Sequence, residues 1–73
     1  MAKVKVELTF PKDLKSEPIL YYVGRDFNVV PNILEASFST DMGWAVVTLE
    51  GNDEEMEKVF AYFRSKRITV KKA

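Results

Sequence analysis

The chain has 73 residues, with eleven basic and eleven acidic side chains and neither cysteine nor histidine. This length allows one small domain, and the zero net charge argues against nonspecific attraction to nucleic acid or to anionic membranes. Without cysteine and histidine, disulfides, thiolate or imidazole metal ligands and the usual proton carrier at neutral pH are excluded, so no cofactor is expected.

The first ten residues contain no continuous apolar run. Charges at Lys3, Lys5 and Glu7 interrupt them, which excludes a typical secretory signal. No stretch of the sequence is apolar for long enough to span a membrane. Because an exported domain of this size usually depends on disulfides, we expect a cytoplasmic protein without direct membrane insertion.

The first part of the chain predicts a strand and a helix. Apolar and charged residues alternate over residues 3–10, as is typical of a half-buried strand. Ser16, Glu17 and Pro18 then supply an N-cap, an early acid and a first-turn proline for a helix that continues to about Phe27. The core-facing residues of this helix should be Ile19, Leu20, Val23 and Phe27.

A connector at residues 28–31 leads into a predicted β-hairpin. Alternation over residues 33–39 predicts a second strand, and the turn residues at 40–43 precede a returning strand at 44–50. We expect these two strands to be antiparallel. The core face of the second strand should carry Leu34, Ala36 and Phe38, and its other face Ile33, Glu35, Ser37 and Ser39.

The last part of the chain predicts a second helix and a final strand. Asn52 or Asp53 can cap the helix, whose first turns are acidic and whose end is basic. These charges complement the helix dipole, with about 0.3–1 kcal/mol for each exposed charge. The apolar stripe of the helix should be Met56, Val59, Phe60 and Phe63. Ile68 and Val70 alternate in the short strand that follows.

The order β-α-β-β-α-β predicts an α+β protein with a ferredoxin-like fold, in which two helices cover one face of a four-stranded antiparallel sheet. The other face of the sheet would remain open. We expect Ile33, Trp44 and Val46 to be the apolar residues on that open face, and exposed apolar residues indicate a partner surface. A homodimer formed through sheet edges or faces is therefore predicted.

Two segments carry a family resemblance: Pro31-Asn32-Ile33-Leu34-Glu35 near the start of the second strand, and Gly43-Trp44-Ala45-Val46-Val47 in the third. With the acidic start of the second helix, they make residues 1–73 resemble a single NIL domain, an ACT-like unit. Such domains occur behind the ATPase subunit of methionine importers or ahead of ferredoxin-like clusters. The resemblance implies a noncatalytic regulatory domain that binds a small amino acid such as methionine for a transporter ATPase or a ferredoxin-type partner.

The same resemblance implies ligand contacts at Asn32, Ile33 and Leu34. The Asn32 amide offers both a donor and an acceptor to the ligand's polar groups, and Ile33 and Leu34 would form an apolar wall. A structural alternative stays open, in which Asn32 hydrogen-bonds the turn after Pro31 and Leu34 belongs to the core.

Other functional classes remain as alternatives. The segment at residues 42–49 is similar to the third-strand octapeptide of RNA-recognition motifs, in which Trp44 would stack on a base of single-stranded RNA. However, Met42 replaces the basic residue of that motif and Val46 its second aromatic. One stacked base contributes only about 1–3 kcal/mol. A purely structural dimerisation module is a further alternative, and the lack of a nucleophile–base pair argues against an enzyme.

Overall fold

The computed structural model describes residues 2–14, 17–39 and 41–73, which form a βαββαβ unit with one additional 3₁₀ turn. The strands are β1 (Ala2–Phe10), β2 (Val29–Phe38), β3 (Gly43–Gly51) and β4 (Thr69–Lys72), and the helices are α1 (Ile19–Asp26) and α2 (Asp53–Ser65). The strands form one antiparallel sheet in the order β2-β3-β1-β4. The predicted α+β ferredoxin-like fold is confirmed.

The core lies between one face of the sheet and the two helices. The central strands alternate as the sequence predicts: every second residue is buried along β3, and in β1 from Val6 onward. The core residues of these strands are Val6, Leu8, Phe10, Ala45, Val47 and Leu49, and those of the helices are Ile19, Val23, Met56, Val59 and Phe63. This side of the sheet is called the helix side below, and the opposite side the open face.

Helix α1 begins later than predicted. The predicted cap, Ser16, lies outside the described residues. A 3₁₀ turn at Lys12–Leu14, which the sequence does not predict, comes before α1. The helix itself starts at Ile19, directly after Pro18. Proline lacks an N–H and is therefore tolerated at the start of a helix, where that group has no partner within the helix.

Helix α2 has well-defined ends. The Asn52 side chain accepts a hydrogen bond of 2.8 Å from the Glu55 N–H, which confirms the predicted cap. At the other end, Arg67 has a left-handed φ of 63°, and the Ile68 N–H donates to the Phe63 carbonyl at 2.9 Å. This is a Schellman motif, and it turns the chain into β4. In the described part of the chain, neither helix is long and apolar enough to cross a membrane.

Strand β2 starts earlier than predicted and contains a β-bulge. Val29, which was predicted to lie in a connector, pairs with Gly51. Ile33 pairs with Val47 and Glu35 with Val46, so Leu34 is an extra residue with no partner on β3. The extra residue shifts the alternation by one position.

Two predictions for β2 are wrong because of this bulge. Ile33 lies opposite Val47 and so belongs to the helix side, whereas the regular alternation had placed it on the open face with Trp44 and Val46. Leu34, predicted as a core residue, is 51% exposed. A bulge leaves the number of apolar residues in a strand unchanged. The alternation of the sequence therefore does not reveal it.

Two glycines give opposite expectations for the same substitution. A Cβ at Gly24, inside α1, would meet Pro31 at 3.5 Å, an ordinary contact, and alanine is preferred over glycine within helices by about 0.5–1 kcal/mol. Gly24→Ala should raise the free energy of unfolding by about that amount. A Cβ at Gly51 would lie 2.9 Å from the Asn28 carbonyl oxygen, so Gly51→Ala should lower this free energy by about 1–3 kcal/mol.

Urea unfolding of the two variants measures both effects. A Gly51→Ala variant as stable as the parent chain would contradict the close approach of β2 and β3 at this point.

Candidate functional site

Among the described residues, strand β2 forms one edge of the sheet, with β3 on one side and no strand on the other. Its outward backbone groups therefore lack a sheet partner. Its large apolar side chains are also exposed, with Val30 at 62%, Ile33 at 56%, Leu34 at 51% and Phe38 at 53%. An edge strand with this much exposed apolar surface is a candidate for binding a ligand or a partner.

An apolar groove of about 190 Å³ lies on the helix side of β2. Ile33, Ala36 and Phe38 form its β2 wall, because they lie opposite the helix-side residues of β3. The groove exists because α1 is short. Its eight residues span about 12 Å at 1.5 Å per residue, whereas the ten residues of β2 span about 33 Å at 3.3 Å per residue.

The opposite wall of the groove comes from α1 and the segment before it, through Leu14, Ile19, Leu20 and Tyr21, and Glu17 contributes a carboxylate. Pockets for drug-sized ligands usually measure about 300–1,000 Å³. The groove is smaller than that, and its size suits a single amino-acid side chain.

Two stacked phenylalanine rings close one end of the groove. The ring centroids of Phe10 and Phe38 are 5.9 Å apart, and the planes are inclined by 30°. Gly43 makes this arrangement possible, because a Cβ at that position would overlap the Phe38 ring. The sequence does not reveal this part of the site, because its alternation predicts Ala36 and Phe38 as core residues. Both lie on the predicted side of the sheet, but α1 does not reach over them.

A charged and aromatic cluster borders the groove on α1. The Arg25 guanidinium lies 5.5 Å from the Tyr21 ring centroid and 5.0 Å from that of Tyr22. It also donates hydrogen bonds of 2.8 and 3.0 Å to the Asp26 carboxylate. This hydrogen bonding raises the pKa of Arg25 and lowers the pKa of Asp26. The pair is exposed and so contributes little stability.

The start of β2 is tied to helix α2 by a carboxylate. The Asn28 N–H donates to Glu55 Oε1 at 3.0 Å, and the Lys58 ammonium donates to Glu55 Oε2 at 2.9 Å. Both hydrogen bonds lower the pKa of Glu55, and the bond from Asn28 has the larger effect. The sequence predicts an acidic first turn in α2 but does not show that Glu55 reaches the chain before β2.

The structure places the three predicted ligand contacts in different settings. Asn32 is exposed on the open face, opposite Thr48. Ile33 lines the groove on the helix side, and Leu34 lies in the bulge between the two faces. The three side chains therefore do not meet in one cavity. What they share is the free edge of β2.

On the open face, the register places Trp44 between Thr9 and Ser37, and Val46 between Glu7 and Glu35. Both apolar side chains are partly buried by these neighbours. Among the described strand residues, Trp44 is the one aromatic residue that the register assigns to this face. A stacking platform of several rings is therefore absent from the described strands.

The architecture defines a ferredoxin-like domain with an exposed, bulged edge strand. Comparison with known proteins gives the family: the NIL domain model matches residues 4–72. The chain belongs to the NIL domain family.

Solved structures share the fold. One of them is the C-terminal domain of an ABC transporter ATP-binding protein from Enterococcus faecalis, with a TM-score of 0.78 and 16% sequence identity over 94% of this chain and 81% of that one. At this identity the likeness shows the fold alone. No curated protein matches the chain.

The Glu55 contact should make stability depend on pH. The pKa of Glu55 is lowered in the folded state from an ordinary value of 4.5, so the contact stabilises the fold above that value and is lost as the pH falls through the folded pKa. The free energy of unfolding should therefore decrease on acidification below about pH 5. In Glu55→Gln this decrease should be smaller.

Urea unfolding between about pH 3 and pH 7 measures this dependence. Glu54→Gln, the same change at the neighbouring residue, is the control and should follow the parent chain. If Glu55→Gln loses stability on acidification as steeply as the parent, the Asn28–Glu55 contact does not hold the start of β2.

Proposed function

We propose that this NIL domain is a noncatalytic regulatory domain that binds a small amino acid at the free edge of β2, with methionine as the first candidate. The observation that carries the proposal is the exposure of Asn32, Ile33 and Leu34 together on an edge strand. The fold does not bury these side chains, so they remain available to a ligand.

The groove beside Ile33 suits the side chain of such a ligand. Its volume of about 190 Å³ and its apolar walls favour an unbranched apolar side chain. A thioether sulfur near the Phe10 and Phe38 rings would add about 0.3–1.5 kcal/mol. Methionine combines both features.

The polar groups of the ligand also find partners at this edge. The Glu17 carboxylate lines the groove and has the charge to bind an ammonium group. The outward backbone groups of β2 offer donors and acceptors, and the Asn32 amide, one residue before Ile33, offers both kinds. We assign Asn32 to the ligand's polar groups rather than to the groove, because its side chain lies on the other face of the strand.

Regulation would follow from differential binding. A ligand stabilises whichever arrangement of the domain and its partners binds it more tightly, and couplings of this kind are typically about 1–3 kcal/mol. The similar structure comes from an ABC transporter ATP-binding protein, so a transporter ATPase is the partner that we propose first, with a ferredoxin-type protein as the alternative. We place this homodimeric domain in the cytoplasm.

The RNA-binding alternative has weaker support. Trp44 is partly buried between Thr9 and Ser37, and its neighbour Val46 lies between Glu7 and Glu35. These carboxylates repel the phosphate backbone next to the one available ring. A purely structural dimerisation module would show no amino-acid binding at all.

Calorimetric titration of L-methionine into the purified domain tests the proposal. Asn32→Ala should abolish the binding heat and leave the melting temperature within about 2 °C, since Asn32 is exposed and a surface change away from caps and the core is nearly neutral. Ser37→Ala changes a polar residue on the same strand and face, and should bind as the parent does. Absence of heat with the parent chain would support the structural module instead.

A second prediction addresses the groove. Ala36 lines it and lies opposite Ala45, so Ala36→Leu should fill the groove without disturbing the pairing. We expect methionine to bind at least about tenfold more weakly, a loss of about 1.4 kcal/mol, with unchanged thermal unfolding. Ala61→Leu makes the same change at an exposed position of α2 and should have no effect. Unchanged affinity in Ala36→Leu would exclude the groove as the side-chain site.

A further inference from the structure

The open face of the sheet carries a two-sided charge pattern. The register aligns its residues in rows across β2, β3, β1 and β4. These rows are Ser37–Trp44–Thr9–Thr69, Glu35–Val46–Glu7–Lys71, Asn32–Thr48–Lys5 and Val30–Glu50–Lys3. The β2–β3 half therefore carries Glu35 and Glu50, and the β1–β4 half carries the three lysines. Glu7 is the exception, and it lies beside Lys71.

We propose that a second copy of this chain binds the open face, related by a two-fold axis that runs along the strands between β3 and β1. This rotation places β2 over β4 of the partner and β3 over its β1, and each row over the same row. Glu35 then faces the partner's Lys71, and Glu50 faces the partner's Lys3. Each pair occurs twice. At the centre, Trp44 lies over the partner's Thr9 and Val46 over the partner's Glu7.

The other face-to-face two-fold axis, perpendicular to the strands, fits less well. It reverses the order of the rows and so brings Lys5 opposite the partner's Glu7. However, it also sets Glu50 against the partner's Trp44 and leaves Glu35 opposite the side-chain amide of the partner's Asn32. Charge complementarity therefore selects the axis along the strands. Aligned packing of this kind is common between sheets, with strands crossing at about 30°.

The size of the face predicts a weak dimer. Its longest strands have nine or ten residues, or about 30 Å, and four strands spaced by about 4.8 Å give roughly 500 Å² for each copy. Stable interfaces bury about 800 Å² on each partner. Glu7, which lies near the centre, must also lose part of its hydration. The association should therefore be measurable at high protein concentration and weaken as salt screens the charge pairs.

This arrangement deepens the proposed function and rests on it in one respect, since it names the surface on which the proposed homodimer forms. It leaves the groove open, because the groove lies on the other side of the sheet, but it covers the face that carries Asn32. The test uses ligand-free protein, so its outcome is separate from that of the methionine titration.

Charge reversal with mixing tests the arrangement. Glu35→Lys leaves two lysines facing each other in the dimer, and Lys71→Glu leaves two glutamates, so each variant alone should self-associate at least about tenfold more weakly. An equimolar mixture pairs the introduced lysine of one variant with the introduced glutamate of the other and should restore association to within about threefold of the parent. Sedimentation velocity at low salt measures all three samples. The matched control is Glu57→Lys on the exposed surface of α2, which should leave association unchanged.

Several results would overturn the proposal: a parent chain that stays monomeric at about millimolar concentration, variants that dimerise as the parent does, or a mixture without recovery. Recovery in a mixture of Lys5→Glu with Glu7→Lys would select the perpendicular axis instead. Binding of a short oligonucleotide to this face, with the protein monomeric, would assign the face to nucleic acid.

A cross-linking measurement covers the case in which a reversed variant fails to fold. Because the chain has no cysteine, Thr9→Cys introduces a single thiol on β1 near the axis. A bis-maleimide that spans about 10 Å, the separation of packed sheets, should join two such chains. The same change at Ala61, on the outer surface of α2, should give no cross-link. Equal yields from both positions would contradict the face-to-face dimer.

Discussion

The pairing of β2 with β3 depends on one extra residue, and this determines what the edge of the sheet exposes. On the N-terminal side of Leu34, the residues on the helix side are Val29, Pro31 and Ile33. On its C-terminal side, Ala36 and Phe38 lie on the same face. Without the bulge, one of these two groups would move to the open face. The bulge therefore keeps the apolar residues of both halves of the strand on the side where α1 and the Phe10 ring can contact them.

The two faces of β2 consequently have different chemistry. The helix side is apolar and only partly covered, because α1 is shorter than β2. The open side is mainly polar, with Asn32, Glu35 and Ser37. A ligand at the edge can contact both faces through the backbone groups between them, whereas a partner copy on the open face contacts only one. The two proposed activities therefore share the open face, where Asn32 lies, whereas the groove on the helix side serves only the ligand.

The sequence predicts the central part of this structure well because burial enforces it there. One face of β3, and of β1 from Val6 onward, is buried, so the alternation of these strands is clear, and α2 has a recognisable cap at Asn52. At the edge this constraint is missing. From Asn32 onward, residues of β2 are exposed on both faces, and apolar positions there do not reveal the bulge at Leu34 or the groove beside Phe38. The family resemblance predicts Asn32 and Ile33 as ligand contacts, but only the register shows that they lie on opposite faces.

The uncovered groove also connects ligand binding with stability. A longer α1 would bury Ile33, Ala36 and Phe38 and make the domain more stable without any ligand. A ligand that binds only the folded state instead supplies stability in proportion to the logarithm of its concentration, about 2.7 kcal/mol at one hundred times its dissociation constant. Small domains have total stabilities of about 5 kcal/mol or somewhat more, so this contribution is large for a chain of 73 residues. The ligand that we propose for the incompletely covered edge strand would therefore make the stability of this domain depend on the ligand's concentration.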